Sequence, residues 1–338
     1  FIASPAVHLD LYPKPNNQQA DSLSDEPPNN HSSASSYIKS TQPSETLDFS
    51  HVQLMCTVDA HRIRVRWLES LLPSIDQRPK PFQPATMSFV ASIFKSYPGM
   101  FVDGGCPPFV HWSQVTGEAT CQPLENCMNM ARMWAARTVG SADMVQEVIQ
   151  QEMKRLFEKG NLLATFQAYL LYAIMLFPST ISAGSIHQDV MMRLQELAGD
   201  AAGRGTICYA EMESTRPDWE SWIIASAKRR TLFAASLFDN LVNFSQGSPS
   251  FVAVELAGLP APASKTLWNA RTRQCWNQAY NRQLSHCGDG ELLISDLWPQ
   301  SEANSEALQP KIDRWLSSVD EFGMMLYAVT AHTYNHNG

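Results

Sequence analysis

The sequence lacks both the dense, paired cysteines of a disulfide scaffold and the close cysteine pairs of a zinc site. Its 338 residues include seven cysteines, which are scattered, odd in number and never arranged as C-x2-C. Small secreted scaffolds and structural zinc modules both depend on such pairs. We therefore predict a reducing compartment, no metal or zinc site in this chain, and thiols that mainly fill core space. The cysteines are Cys56, Cys106, Cys121, Cys127, Cys208, Cys275 and Cys287.

Positive charge is also scarce relative to negative charge. The chain has 25 Lys and Arg against 33 Asp and Glu, a net charge of −8 at pH 7. Proteins that bind nucleic acids neutralise phosphates with clustered basic side chains, so the bulk charge argues against DNA binding. Contact with DNA would need a local basic module, and we predict no DNA-binding residue in this chain.

Motifs that would mark an enzyme are missing. The sequence has no G-x-S-x-G, H-E-x-x-H or G-x-x-x-x-G-K-[ST], so we predict no catalytic and no cofactor-binding residue. The glycine-rich run from Gly199 to Gly205 follows a predicted helix and is interpreted as a loop. A catalytic triad can be assembled from distant residues, so the missing motifs weaken the case for an enzymatic function but do not exclude one. The candidate histidines, none with a partner nearby in sequence, are His111, His187, His286 and His332.

A hydrophobic run of membrane-spanning length is missing as well. The most apolar stretch, Leu162 to Phe177, ends at Pro178 and includes Thr165 and Gln167. A membrane span needs about 20 apolar residues, so we interpret this stretch as a central core helix and expect no membrane partner. No signal peptide is visible.

Apolar spacing predicts helices, and no stretch shows repeated strand alternation. Residues 1–50 are acidic and rich in Ser, Pro, Asn and Gln, so we predict a disordered linker that folding does not require. The chain as a whole is 44% apolar, which supports a large core, and we predict one all-α domain over residues 51–338. The predicted helices, besides the core helix, are Met87–Ser96, Ser141–Gly160, His187–Leu197, Trp219–Asn240, Trp276–Leu284, Pro310–Val319 and Val319–His332.

A basic segment from His61 to Ser74 permits two interpretations. Arg62, Arg64 and Arg66 alternate with apolar residues, as in a strand, whereas Trp67 and the leucines after it favour a helix. The three arginines fit a solvated face better than a phosphate-binding surface.

The chain is organised around the stretch from Trp219 to Trp276. Its first part repeats apolar residues at intervals of three and four, which predicts a helix with an aromatic side. The basic run Lys228-Arg229-Arg230 interrupts that side, and adjacent residues point about 100° apart. We therefore expect arginines of this run to pair with a carboxylate elsewhere, either Asp239 or the Asp320–Glu321 pair.

The same stretch carries a resemblance to a known family. WIIASAKRRTL, followed by EL at Glu255, LPAP at Leu259–Pro262 and LW at Leu267–Trp268, resembles the fungal-specific transcription factor domain. This domain is the helical regulatory region of fungal zinc-cluster transcription factors. The resemblance spans about Val52 to Thr333. Its other segments are PPFVH from Pro107, PLENC from Pro123, FQAYLLY from Phe166, LQELA from Leu194 and VDEFGMMLYAVTAHT from Val319.

The chain departs from the family pattern at two points. Ser226 stands where the family usually has a glutamate before AKRRT. If that glutamate normally pairs with an arginine of the run, the local ion pair must here be rebuilt or absent. The zinc cluster, two C-x2-C-x6-C sets, does not occur. Zinc is expected only if such a cluster precedes Phe1, which the sequence leaves open.

The resemblance implies a nuclear regulator of transcription, of the type that controls fungal secondary-metabolite gene clusters. Its expected partners are the transcription machinery or a DNA-binding partner, and a small-molecule effector is a further candidate. Two alternatives stay open. One is a family member diverted to an enzymatic role in biosynthesis, and the other is an interaction protein that pairs with a DNA-binding protein.

Overall fold

Helices provide the regular structure of the chain, described here from a computed structural model. The described residues are 46–68, 72, 79–116, 121–156, 161–180, 186–286, 290–298 and 302–331. They contain no strand, only isolated bridges such as Met55–Ile207, so the predicted all-α fold is confirmed. Of the predicted disordered linker, residues 1–45 lie outside the described residues. The helices are α1 (Ala60–Arg64), α2 (Pro84–Val102), α3 (Gln122–Ala135), α4 (Ala142–Arg155), α5 (Leu162–Thr180), α6 (Ile186–Gly203), α7 (Tyr209–Met212), α8 (Trp219–Ser245), α9 (Lys265–Trp268), α10 (Arg273–His286), α11 (Glu302–Leu316) and α12 (Glu321–Ala331).

The longest of these helices, α8, is buried on almost its entire circumference. The side chain of Asp218 caps its first turn by accepting a hydrogen bond from the backbone N–H of Ser221 at 2.9 Å. The helix runs for 27 residues, and the buried ones include all three members of the basic run. The sequence predicted a single aromatic side. That was too narrow, because helices and loops pack against α8 from all directions.

The predicted core helix is present as α5. Asn161 caps it by accepting hydrogen bonds from the N–H groups of Leu163 and Ala164. Its polar Gln167 is buried and donates to the carbonyl oxygen of Phe109 at 2.7 Å, which satisfies the amide within the core. The helix continues past the expected end at Pro178. No described helix is long and apolar enough to cross a membrane.

Several helix boundaries differ from the predictions because tertiary packing overrides local breakers. Helix α2 extends beyond Ser96 and through Pro98, whose neighbours on the buried side include Tyr97 and Phe101. Helix α11 begins before Pro310, which lies inside it. Helix α3 was not predicted at all. Helix α4 begins just after Ser141, as predicted, although Gly160 lies outside the described residues.

The glycine-rich run was predicted as a loop, but its first five residues belong to α6. Gly199 lies where α6 crosses α1, and a Cβ there would stand 2.8 Å from the carbonyl oxygen of Ala60. Only glycine permits this close crossing. Gly205, after the helix, has a φ of +91° and packs against Leu54. These glycines therefore serve helix packing and chain reversal.

The basic segment after residue 60 forms α1 and a short 3-10 helix, Arg66–Leu68. The strand interpretation is therefore wrong. Arg62 is exposed, and Arg64 forms an ion pair with Asp200 on α6. Arg66 is buried, which corrects its assignment to a solvated face.

The hydrophobic interior has two parts. The main core surrounds α5 and the second half of α8. A second group, here called the tryptophan cluster, consists of Trp219, Trp222, Trp268 and Trp276 with their apolar neighbours. Trp276 stands 5.6 Å from Trp222 and 6.4 Å from Trp219 between ring centroids. Trp219 and Trp222 are each 1% exposed, and α10 supplies the ring that packs against both.

Candidate functional site

Arg230, near the middle of α8, occupies the centre of a buried junction. Its side chain is 1% exposed, and Nη1 donates to Asp320 Oδ2 at 2.7 Å and to the carbonyl oxygen of Pro108 at 3.1 Å. Its guanidinium carbon lies 4.3 Å from the centroid of the Trp268 ring and 5.5 Å from that of Phe322. We call Arg230, Asp320, Pro108, Trp268 and Phe322 the arginine junction. The predicted pairing with Asp320 is confirmed.

Asp320 joins the junction to the start of α12. Its Oδ1 accepts a hydrogen bond from the backbone N–H of Gly323 at 3.1 Å, so one carboxylate caps a helix and neutralises an arginine. Glu321, the other predicted candidate, points elsewhere and pairs with the exposed Lys265 at 2.8 Å. Burial lowers the pKa of Arg230 against the opposing effect of Asp320. A guanidinium nevertheless stays charged under physiological conditions.

Arg229 has a different partner, which the sequence did not predict. Its two terminal nitrogens donate to both carboxylate oxygens of Glu211 on α7, at 3.1 and 2.9 Å. Nη2 also donates to Ser226 Oγ at 3.2 Å. Burial opposes the charge of Arg229, but Glu211 outweighs it and raises the pKa of Arg229. The carboxylate partner of Arg229 is therefore Glu211 on α7, and Ser226 contributes a hydroxyl to the same guanidinium.

The remaining member of the basic run, Lys228, is also turned inward. Its Nζ donates to the carbonyl oxygens of Arg204 and Gly205 at 3.2 and 2.9 Å, just after the end of α6. Cations near a helix C-terminus stabilise its exposed carbonyl groups. Burial lowers the pKa of Lys228 to about 8.

A further buried cation, Arg66, ties the N-terminal segment to α8. It contacts Glu255 Oε1 at 2.6 Å and Asp239 Oδ2 at 3.3 Å, and it donates to the carbonyl oxygen of Phe251 at 2.8 Å. Asp239 was predicted as a partner of the basic run, and it serves Arg66 instead. The alternation of arginines along the sequence gave no sign of this role.

His111 contacts a serine in the buried interior. Nδ1 of His111 lies 2.8 Å from Ser113 Oγ, and Nε2 lies 3.1 Å from the carbonyl oxygen of Trp268. A carbonyl can only accept, so Nε2 carries the proton and Nδ1 accepts from the serine. Burial lowers the pKa of His111 to about 3. Both side chains are buried, at 0% and 2% exposed.

A cavity of about 350 Å³ adjoins the arginine junction. One wall is the segment Ala261–Ser264, whose Ala263 carbonyl oxygen lies 3.5 Å from Arg230 Nη2. The other walls come from α9, α10, α11, the backbone around Gly290, and residues 317–318. None of these residues was predicted from the sequence to form a site. Surface cations spaced along two helices are common, and only the fold brings them around one space.

The cavity holds an acidic group with an unusual environment. Glu291 lines it, and burial together with the nearby Glu211 carboxylate raises the pKa of Glu291 to about 7, against the opposing effects of Arg229 and Lys311. Lys311 Nζ also donates to the backbone carbonyl oxygen of Glu291 at 3.1 Å. A carboxyl group that titrates near neutral pH in a cleft is a common feature of functional sites.

The cysteines occupy separate places in the part of the chain that the structure describes. Cys127 and Cys208 are buried, Cys106 and Cys121 half-buried, and the others described exposed. No group of three or more metal-ligating side chains occurs among the described residues. Cys287 and His332 lie outside them, and of His187 and His286 only the backbone is described. The prediction that thiols fill core space therefore holds for part of the set.

Comparison of the chain with protein-family models, with curated protein sequences and with solved structures finds no match in any of the three. The resemblance described above therefore remains a resemblance, and function has to be argued from the geometry.

Proposed function

We propose that this chain is the regulatory domain of a nuclear transcription regulator, of the type that controls a fungal secondary-metabolite biosynthetic gene cluster. It acts through the transcription machinery or a DNA-binding partner, and contact with DNA needs a module outside this sequence. The burial of the basic run supports the proposal that DNA contact depends on another module. Lys228, Arg229 and Arg230 are all buried, so they cannot neutralise phosphates.

The observation that carries the proposal is the convergence of the resembling segments at one buried place. Arg230 of the AKRRT segment contacts Pro108 of PPFVH, Trp268 of LW, and Asp320 and Phe322 of VDEFG. His111 of PPFVH contacts the carbonyl oxygen of Trp268. Short matches that arose by chance along a sequence have no reason to meet in space. Their meeting supports the interpretation that they form one structural signature.

The junction also suggests how such a domain transmits a signal. Arg230 links distant segments, because it lies 122 positions from Pro108 and 90 positions from Asp320 along the chain. Nη1 of this buried cation is paired with Asp320, whereas its Nε has no hydrogen-bond partner in the described part of the chain. Few alternative arrangements are open to it, because moving one segment leaves a charge without its partner. A change at the adjoining cavity wall, Ala261–Ser264, therefore has a direct path to α12 and to the loop before His111.

A reporter fusion tests the proposed function. We would join the chain to a DNA-binding module of known target and measure reporter transcription in a fungal host, with the module alone as reference. We expect the fusion to change reporter output, upward or downward, at equal nuclear protein levels. Output equal to that of the module alone, from a fusion shown to be folded and nuclear, would contradict the proposal.

A further inference from the structure

The cavity beside the arginine junction has the dimensions of a small-molecule site. Its volume of about 350 Å³ falls at the lower end of the range for ligand pockets, roughly 300–1,000 Å³. It lies between α10 and α11, with the segment Ala261–Ser264 as its inner wall. It is partly open to solvent, so a ligand can enter without unfolding a helix.

Hydrogen bonds hold the walls in place. Trp315 Nε1 on α11 donates to the carbonyl oxygen of Pro262 at 2.8 Å, and the N–H of Ala261 donates to the carbonyl oxygen of Leu292 at 2.8 Å. The N–H of Lys265 donates to the carbonyl oxygen of Ser318 at the same distance. A pocket whose walls are fixed before binding loses little conformational entropy when a ligand enters.

The lining combines an apolar wall with a cationic rim. Ala261, Pro262, Ala279, Leu292 and the indole of Trp315 provide apolar surface. Arg282 and Arg314 are exposed, and Lys311 is half-buried beside them. Glu291 is the acidic member of the lining. The three cations have other contacts as well, and a ligand anion can join such a network without displacing it.

We propose that this cavity binds a small organic acid with an apolar or aromatic body. The body lies against Ala279, Leu292 and Trp315, and the acid group is held by Arg282, Arg314 and Lys311. Guanidinium groups bind carboxylate, sulfonate and phosphate oxygens with charge-assisted hydrogen bonds, which fix the orientation of the ligand. If the bound acid is an effector of transcription, that role rests on the proposed function. Binding itself is independent of it.

Two probes with the same aromatic body, one with and one without a sulfonate group, test the ligand class. We would titrate the purified chain with 8-anilinonaphthalene-1-sulfonate and with N-phenyl-1-naphthylamine, the same aromatic body without the sulfonate, and follow probe fluorescence. We expect saturable binding of the sulfonate and about tenfold weaker binding of the neutral probe. The double variant Arg282→Gln/Arg314→Gln should weaken sulfonate binding by about tenfold and leave the neutral probe unchanged. Equal affinity for both probes would overturn the proposal.

Matched variants locate the probe. Thr266→Trp places a large ring at the cavity wall and should weaken binding of both probes, whereas Asn269→Trp, three positions away and outside the lining, should not. Lys95→Gln, an exposed cation on α2, is the charge control for the double variant. Circular dichroism melting checks that each variant is folded, because such probes also bind partly folded chains. Sulfonate binding that survives Thr266→Trp and the double variant alike would place the probe elsewhere and refute the site. A silent reporter fusion with intact, cavity-dependent binding would refute the transcriptional role alone.

Discussion

Replacing Arg230 with alanine should destabilise the fold severely, because it leaves a carboxylate buried without its cation. The side chains of Arg230 and Asp320 are 1% and 8% exposed. In Arg230→Ala, the hydrogen bond from the Gly323 N–H is the remaining contact described for the Asp320 carboxylate. Breaking one partner of a buried ion pair costs about 3–5 kcal/mol, and loss of the stacking on Trp268 adds to this. A domain of this size has about 5–15 kcal/mol of stability, so a large fraction is lost.

Thermal and urea unfolding of the purified variants measure this loss. If 1 kcal/mol shifts the midpoint by about 2 °C, we expect Arg230→Ala to melt about 6–10 °C below the wild type. The double variant Arg230→Ala/Asp320→Ala should lose less than the sum of the single losses, with a coupling of about 1–3 kcal/mol. Lys265→Ala removes the neighbouring exposed pair with Glu321 and should leave the midpoint close to that of the wild type.

Two results would refute this reasoning. Wild-type stability in Arg230→Ala would mean that solvent or another group reaches Asp320 and that the junction is not a closed ionic site. Additive losses in the double variant would mean that Arg230 and Asp320 contribute separately, and the convergence of segments would then lose its energetic meaning. If Arg230→Ala keeps wild-type stability and loses only reporter output, this part of α8 is a functional surface.

The remaining predictions concern the tryptophan cluster, the acidic group of the cavity and DNA. Trp222→Ala removes a 1%-exposed ring and should lower the free energy of unfolding by about 3–5 kcal/mol, measured by urea unfolding. The control Ile224→Ala, at a half-buried position, should lower it clearly less. Equal losses would contradict the described burial. Glu291 has a pKa of about 7 in the fold against 4.5 ordinarily, so its contribution to stability is complete below pH 4.5 and lost as pH rises through 7. Glu291→Gln should flatten this decline between pH 4.5 and 7, and an unchanged slope would rule out Glu291 as its source. Gel-shift titration of residues 1–338 should show only weak DNA binding without sequence preference, and sub-micromolar selective binding at physiological salt would contradict this.

Local periodicity was enough to predict the all-α class and the central helices. Apolar residues at intervals of three and four identify α8, because these intervals place side chains on the same part of a helix surface, and the continuous apolar run identifies α5. Such a pattern does not show how many sides of a helix are covered by other parts of the fold. Helix α8 was therefore predicted with one buried side, although its basic run is buried too.

Chemical necessity predicted part of the ionic network. Adjacent arginines inside an apolar helix must find carboxylates, and Asp320 was correctly included among the candidates for Arg230. The same rule could not identify Glu211 for Arg229 or Glu255 for Arg66. Any of several carboxylates satisfies the rule, and the choice depends on which segments the fold brings together.

The sequence by itself therefore determined that α5 and the aromatic side of α8 enter the core and that the arginines of the α8 run need partners, because these follow from side-chain chemistry and local spacing. Only the tertiary structure decided which partners they meet and where space remains. The cavity between Ala279 on α10 and Trp315 on α11 illustrates the difference. Its walls are ordinary helix surfaces, 36 positions apart along the chain, and the space between them exists because hydrogen bonds such as that from Trp315 to Pro262 fix their separation.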